Sequence, residues 1–242
     1  MSEFSFKEID EEGMETLKAI SEANKFNEWM YHRIAPDCSG KILEIGSGIG
    51  NISEYFIKDK AEIYLSDLRD NYLSFLEKNY MDKAAGILKM DIVDQDFDEL
   101  YKDQLGSFDT VFALNVVEHI KDDALAMKNI TKLLKPNGKV IILVPAFNAL
   151  YNSFDVALEH YRRYTKKTLN KNFISSNLEI QKSSYFNAAG IAGWILSGAI
   201  LKKKTIPAGQ MKLYNKLVPI FKVVDKVIFN SFGLSVVTVG KK

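Results

Sequence analysis

The 242-residue chain predicts an α/β fold built on a parallel sheet, and three observations carry that prediction. Strand-like and helix-like segments alternate from Lys41 to Pro145, the pattern of right-handed crossovers onto a parallel sheet. A glycine-rich turn separates the first strand from its helix. Polar or acidic residues close the first four strands in succession, which is where open parallel sheets bind ligands. Hydrophobic residues make up 47% of the chain and charged residues 26%, enough to bury a core without disulfides or structural metal.

The elements follow in order. Leu17, Ile20, Phe26 and Met30 recur near helical spacing, so Met14 to Ala35 reads as one helix stopped by Pro36. "KILEIG" is a strand and "NISEYFIKDK" a helix; "AEIYLSD" and "RDNYLSFLEKNY" repeat the pair. "AGILKMD" is the third strand, and "FDTVFALNVVEHI" opens with the fourth. "DDALAMKNITKLLKPNG" is a helix ended by Pro136 and Gly138, and "KVIILVP" is the fifth strand. "TKKTLNKNFISSN" is helical with Thr165 as N-cap. "LEIQKSSYF" and "GLSVVTVGKK" read as two late strands, with helices appended between them. The division expected is one domain over 1–242: a helical cap at 1–40, a core at 41–186, a helical insert or lid at 187–232 and the last strand at 233–242.

The spacing of the glycine turn discriminates among ligands. A dinucleotide fingerprint from Gly46 requires glycine at 51, and the residue is Asn51. A phosphate-cradling loop requires Gly-Lys-Ser/Thr, and Gly50 is followed by Asn51 and Ile52. What remains is E-x-G-x-G-x-G with Glu44 in the strand. Asp67 ends the second strand, where a carboxylate can accept hydrogen bonds from ribose hydroxyls. Asp91 ends the third, within reach of an adenine amino group, with Leu68 and Ile92 as apolar faces for the ring. Each aspartate alone also fits a helix N-cap; in order, they favour a site.

These segments resemble the class I S-adenosylmethionine (SAM)-dependent methyltransferases over Lys41 to Ala146: "LEIGSGIG", "YLSD", "MDI", "FDTVFALNVVEHI" and "LLKPNGKVIILVP" stand in that family's motif order. The resemblance implies a Rossmann-like, seven-stranded, mostly parallel sheet with an antiparallel last strand. It implies SAM as cofactor and S-adenosylhomocysteine as product. The cofactor set is then Glu44, Gly46, Ser47, Gly48, Asn51, Asp67, Leu68, Asp91, Ile92 and Asn115. Asn27, Trp29 and Tyr31 are candidates for closing over the pocket, and the same helix also reads as amphipathic packing of Phe26 and Met30.

Acceptor chemistry is read from fewer residues. The family's N/D-P-P-Y/F motif for methylating adenine or glutamine nitrogen is replaced by "NVVEHI", which leaves O-methylation of small molecules as the leading class. His119 reads either as general base or as a helix-start residue beside Glu118. "EHYRRY" overlooks the sheet edge and resembles methyltransferases of natural-product or lipid-linked substrates. Tyr31, Tyr151, His160, Arg162, Arg163 and Tyr164 are the candidate substrate contacts, with His160 a second catalytic candidate. Paired arginines suit a carboxylate, which needs orientation but no base. A carboxylate of a small molecule or peptide natural product is therefore the expected acceptor. The alternatives are a hydroxyl, phosphonate or lipid-linked acceptor with His119 as base, or a SAM-binding module without activity.

A net charge of +1 argues against nucleic acid as partner, one cysteine (Cys38) excludes an internal disulfide, and three histidines argue against a dedicated metal cage. The acidic N-terminus does not read as a signal peptide, and no apolar run reaches membrane-spanning length, so the expected location is the cytoplasm. "GIAGWILSGAIL", followed by three lysines, reads first as a buried helix or dimer contact and second as a membrane-surface helix. Monomer and homodimer both remain open.

Overall fold

The computed structural model describes residues 11–202 and 208–242. The readings of the acidic first ten residues and of "KKTIP" (203–207) lie outside the described residues. Two helices, α1 (Glu11–Ser21) and α2 (Asn24–Ile34), precede β1 (Ile42–Ile45) and α3 (Ser53–Lys58). Then come β2 (Ile63–Asp67), α4 (Asp70–Tyr80), β3 (Gly86–Lys89), α5 (Phe97–Leu100), β4 (Phe108–Leu114) and α6 (Asp123–Leu133). The chain continues through β5 (Leu134–Pro145), α7 (Ser153–Ala157), α8 (Lys166–Ser175) and β6 (Glu179–Phe186). It closes with α9 (Gly190–Trp194), which runs on as a π-helical segment Ile195–Ile200, then α10 (Ala208–Val227) and β7 (Ser235–Lys241).

The seven strands lie in the order β3-β2-β1-β4-β5-β7-β6, and β7 is antiparallel to both of its neighbours while the other pairs are parallel. Strand periodicity divides the core. Leu43, Val140, Ile142 and Val236 face one layer with Met127, Ile130 and Phe173 of α6 and α8. Ile42, Ile141, Leu143 and Val237 face the other with Ile34, Phe56, Leu76 and Val218 of α2, α3, α4 and α10. Both faces being covered, the strands read as near-continuous apolar runs.

Three sequence expectations shift. The single N-terminal helix is broken at Glu22–Ala23 into α1 and α2. The helix expected to run to Pro136 stops at Leu133, because Leu134 already pairs with Phe108 in the sheet. The apolar segment after Gly190 is not a buried helix: Ile195, Leu196, Ile200 and Leu201 are exposed and only Ser197 and Gly198 are buried. Close packing holds at Gly198, where a Cβ would lie 2.2 Å from Asn152 Oδ1, and at Gly190, where it would lie 2.6 Å from the Asn187 side-chain amide. Thr165 does cap α8, accepting from the Thr168 amide.

Candidate active site

A cavity of about 1450 Å³ opens at the carboxyl ends of β1 to β4, and all ten residues of the expected cofactor set line it. The glycine loop is shaped by its backbone. Gly46 has φ +70°, and a Cβ there would lie 2.5 Å from Val116 Cγ2. Gly48 has φ +56°, and a Cβ would meet Leu17 Cδ1 of α1 at 2.7 Å. Side chains are therefore excluded where a ligand must approach the chain.

Asp67 is buried and organises the turn: Oδ2 accepts from the Gly48 amide (2.9 Å) and Oδ1 from the amides of Leu68 (2.8 Å) and Arg69 (3.1 Å). Oδ1 is filled, and Oδ2 keeps one lone pair for a further donor. Asp91 accepts from the Val93 amide with Oδ1. Glu44 accepts from Ser53 Oγ, and burial pushes its carboxyl up to about 7. Asn115 stands at φ +54°, a left-handed conformation that asparagine tolerates. Asn51 lines the cavity and also donates to Leu17 O at 3.0 Å, tying α1 to the loop. Asn27 lines it from α2, with Oδ1 buried and without a partner.

The opposite wall is built from the 3-10 turn Val117–His119, α7, α9 and α10. Glu118 is fully buried, neither carboxylate oxygen has a partner on another residue, and burial pushes its carboxyl up to about 8. His119 fronts the cavity with its side chain exposed to it, and the density of protein around it, followed by repulsion from His160 and Arg69, pushes its imidazole below the ordinary value. Its ring hydrogen-bonds to the backbone of Leu158, which leaves the second ring nitrogen as an acceptor. The His160 ring lies 4.7 Å from the His119 ring, centroid to centroid. His160 Nδ1 and Arg163 Nε both bond Asp155 Oδ1 at 2.8 Å, and Asp155 closes a capping box at the start of α7. Arg163 also donates to Ala146 O, lies over the Trp194 ring at 4.6 Å and leaves Nη2 without a partner.

The "EHYRRY" segment passes the end of β5, where Tyr164 bridges Ala146, and its side chains divide between the cavity and the protein behind it. His160, Tyr161 and Arg163 line the cavity. Arg162 and Tyr164 turn the other way and share Asp123, at 2.8 and 2.7 Å, so neither reaches the cavity as expected of a substrate contact. Tyr151 is spent on His160 O (2.8 Å), and Tyr31 bonds Asp59 behind α2, so both also stand away from it. Trp29 packs on Phe186 in the core at 4.4 Å. Sequence reasoning missed Arg69, Tyr72, Phe154, Trp194, Met211 and Tyr214, all lining residues. The capping pattern "NSFD" was the one legible signal for the α7 wall.

Glu118, His119 and His160 each present a possible metal-ligand atom, all within 4.8 Å of one another, although no metal cage was expected. The bond from Asp155 to His160 is of the kind that orients a metal-binding imidazole. Arg163 and Arg69 put positive charge beside the same cluster, which opposes a dication.

The glycine loop shares its cavity with the carboxylates of Asp67 and Asp91 and carries no lysine of its own, an acceptor set that suits a cationic sulfonium and amine better than a phosphate. Residues 43–142 match the family model described as a methyltransferase domain. The ubiquinone biosynthesis O-methyltransferase of Xanthomonas axonopodis pv. citri is 26% identical over 115 residues, 48% of this chain and 46% of that protein. The chain thus spans about half the length of the curated relatives it matches. A SAM-dependent methyltransferase from Archaeoglobus fulgidus superposes with TM-score 0.57 at 16% identity, covering 89% of this chain and 94% of the other. Haemonchus contortus phosphoethanolamine N-methyltransferase 2, solved with SAM, gives TM-score 0.57 at 21% identity over 89% and 52%. Residues 43–142 thus match a methyltransferase domain, with a strand order shared with SAM-dependent methyltransferase structures; β7 and β6 extend its sheet, and α1, α2, α9 and α10 cover it.

Proposed function

We propose that the chain is a SAM-dependent O-methyltransferase acting on the hydroxyl of a largely apolar acceptor, with His119 receiving the proton. The observation that carries this is a neutral imidazole fronting the cavity on the wall opposite the cofactor residues. Asp67, Asp91, Asn115 and the Gly46–Gly48 backbone would hold the cofactor, which supplies an electrophilic methyl group. At about 1450 Å³ the cavity exceeds the roughly 300–1,000 Å³ typical of one ligand, leaving room for an acceptor. Ile120, Leu125, Phe154 and Trp194 give that space apolar walls.

A histidine pushed below its ordinary value is a weak base, and here a weak base suffices. A hydroxyl oxygen gaining a methyl becomes a strong acid as the new bond forms. His119 needs only a lone pair in place, which its bond to the Leu158 backbone fixes. His160, oriented by Asp155, buttresses the ring. The ubiquinone O-methyltransferase relatives support transfer to oxygen.

Arg163 Nη2 favours a second reading. It is buried, unpartnered and on a lining residue, so it suits the carboxylate acceptor expected from sequence, although Asp155 already offsets its charge and Arg162 is engaged elsewhere. The test is an acceptor panel of hydroxyl, carboxylate and amine compounds read by mass, followed by His119→Ala. The hydroxyl reading expects turnover to fall about 10²–10⁴-fold with SAM affinity unchanged. Retained turnover on a carboxylate, lost instead in Arg163→Lys, would select the second reading.

A further inference from the structure

The outer face of α10 is largely apolar, and among the described residues its large side chains stand exposed. Leu213, Ile220, Val223 and Val227 fall at i, i+7, i+10 and i+14, one stripe about 21 Å long, and each is more than half exposed. Phe229, just beyond the helix, is 88% exposed, and Ile200 of the π-helical segment is 65% exposed. Met211, Val218 and Asp225 form the opposite, buried face of the same helix. α10 is therefore apolar on two sides, and the core accounts for only one of them.

The charge around this stripe identifies its occupant. Residues 187–232 contain seven lysines and a single acid, Asp225. That acid is turned inward, accepting from the amides of Asn187 (2.6 Å) and Ala188 (2.9 Å). Lys216 is exposed within the stripe, at i+3 between Leu213 and Ile220, where its stem lies along the apolar surface and its ammonium reaches outward, and Lys226 is exposed at the stripe's edge. The rest of the chain has 25 Lys and Arg against 30 Asp and Glu, so positive charge is concentrated where apolar surface is exposed. Lys212 pairs with Glu22 at 3.4 Å, and two copies meeting through this face by a twofold axis would still set Lys216 and Lys226 against lysines. Among the described residues no helix is long and apolar enough to cross a membrane.

We propose that α10, with the segment after α9, docks on an anionic lipid surface, inserting its leucine, isoleucine, valine and phenylalanine side chains among the acyl chains while the lysines meet the headgroups. The inner faces of the same helices line the cavity through Gly193, Trp194, Met211 and Tyr214. Docking thus places the cavity beside the bilayer, where a membrane-borne acceptor can enter. That last consequence rests on the proposed activity; the docking does not.

Flotation of the full chain with phosphatidylcholine vesicles, with and without phosphatidylglycerol, tests it without any activity readout. Binding is expected with phosphatidylglycerol, weaker at high salt and weak with phosphatidylcholine alone. Lys216→Glu with Lys226→Glu is expected to lower the bound fraction at least about tenfold, and Val223→Ser with Val227→Ser likewise. Circular dichroism should give unchanged melting, since all four positions are exposed. Failure to float with either vesicle, or flotation unaffected by both pairs, overturns the proposal. So does a dimer in sedimentation equilibrium that Ile220→Glu dissociates, because the face would then belong to a second copy.

Discussion

The cavity has two walls of different construction. Along β1 to β4 it is made of backbone amides, glycines and short acids at strand ends, each fixed by the parallel ladder behind it. Along α7, α9 and α10 it is made of long side chains, Phe154, Trp194, Met211 and Tyr214, carried on helices that pack partly on one another. The first wall tolerates little change of shape and suits a ligand that is always the same. The second changes shape with each side chain and suits whatever the acceptor happens to be.

The largest effect tests the rigidity of the first wall. Gly46→Val places a β-branched residue at φ +70° with its Cβ 2.5 Å from Val116 Cγ2. Strain of roughly 1–3 kcal/mol, together with the overlap, should displace the loop and weaken SAM binding about 100-fold by calorimetry, with circular dichroism still that of a folded chain. An affinity within tenfold of the parent would show that the loop adapts.

On the second wall the equivalent keystone is Asp155, which holds His160 and the buried Arg163 together. Asp155→Ala leaves a guanidinium at 1% exposure without its counter-charge, a loss of about 3–5 kcal/mol. The melting temperature should fall by roughly 10 °C. At low temperature, SAM affinity should change less than about threefold, because Asp155 touches none of the strand-end residues. Equal loss of cofactor binding would mean that the two walls act as one.

The same contrast explains what could be read in the sequence. Gly46, Asp67, Asp91 and Asn115 are spaced by the strand–turn–helix unit itself, so chain order and spatial order coincide and the cofactor wall was legible. Trp194, Met211 and Tyr214 reach the cavity from segments more than 40 residues beyond β5, and only tertiary packing brings them there. Arg162 and Arg163 look alike in sequence; one step along the chain sends one to Asp123 and the other to Asp155. The exposed stripe of α10 was hidden for another reason. Hydrophobic periodicity marks a face that avoids water without saying what covers it.

A smaller effect probes the junction between the walls. Glu118 is pushed from an ordinary carboxylate value of 4.5 up to about 8 by burial. The neutral acid then stabilises the fold fully below about pH 4.5, and that contribution is lost as pH rises through 8. His119, pushed down, acts in the opposite direction but is common to parent and variant, as is Glu44. Glu118→Gln should therefore melt close to the parent at pH 5 and several degrees above it at pH 9. A difference in melting temperature that stays constant across this range would falsify the buried neutral acid.

The smallest effect concerns α1, which belongs to neither wall and covers the first. Its contacts with the loop are few: Asn51 Nδ2 donates to Leu17 O at 3.0 Å, and Leu17 Cδ1 occupies the space that a side chain on Gly48 would need. One partly buried hydrogen bond contributes about 0.5–1.5 kcal/mol. Asn51→Ala should then raise the SAM dissociation constant only two- to fivefold while hydrogen exchange in α1 accelerates, since a short helix released from its tie frays first. If exchange accelerates and affinity stays fixed, α1 braces the empty loop and adds nothing to the bound ligand. If affinity falls and exchange does not change, Asn51 contacts the cofactor directly, and its bond to Leu17 is incidental.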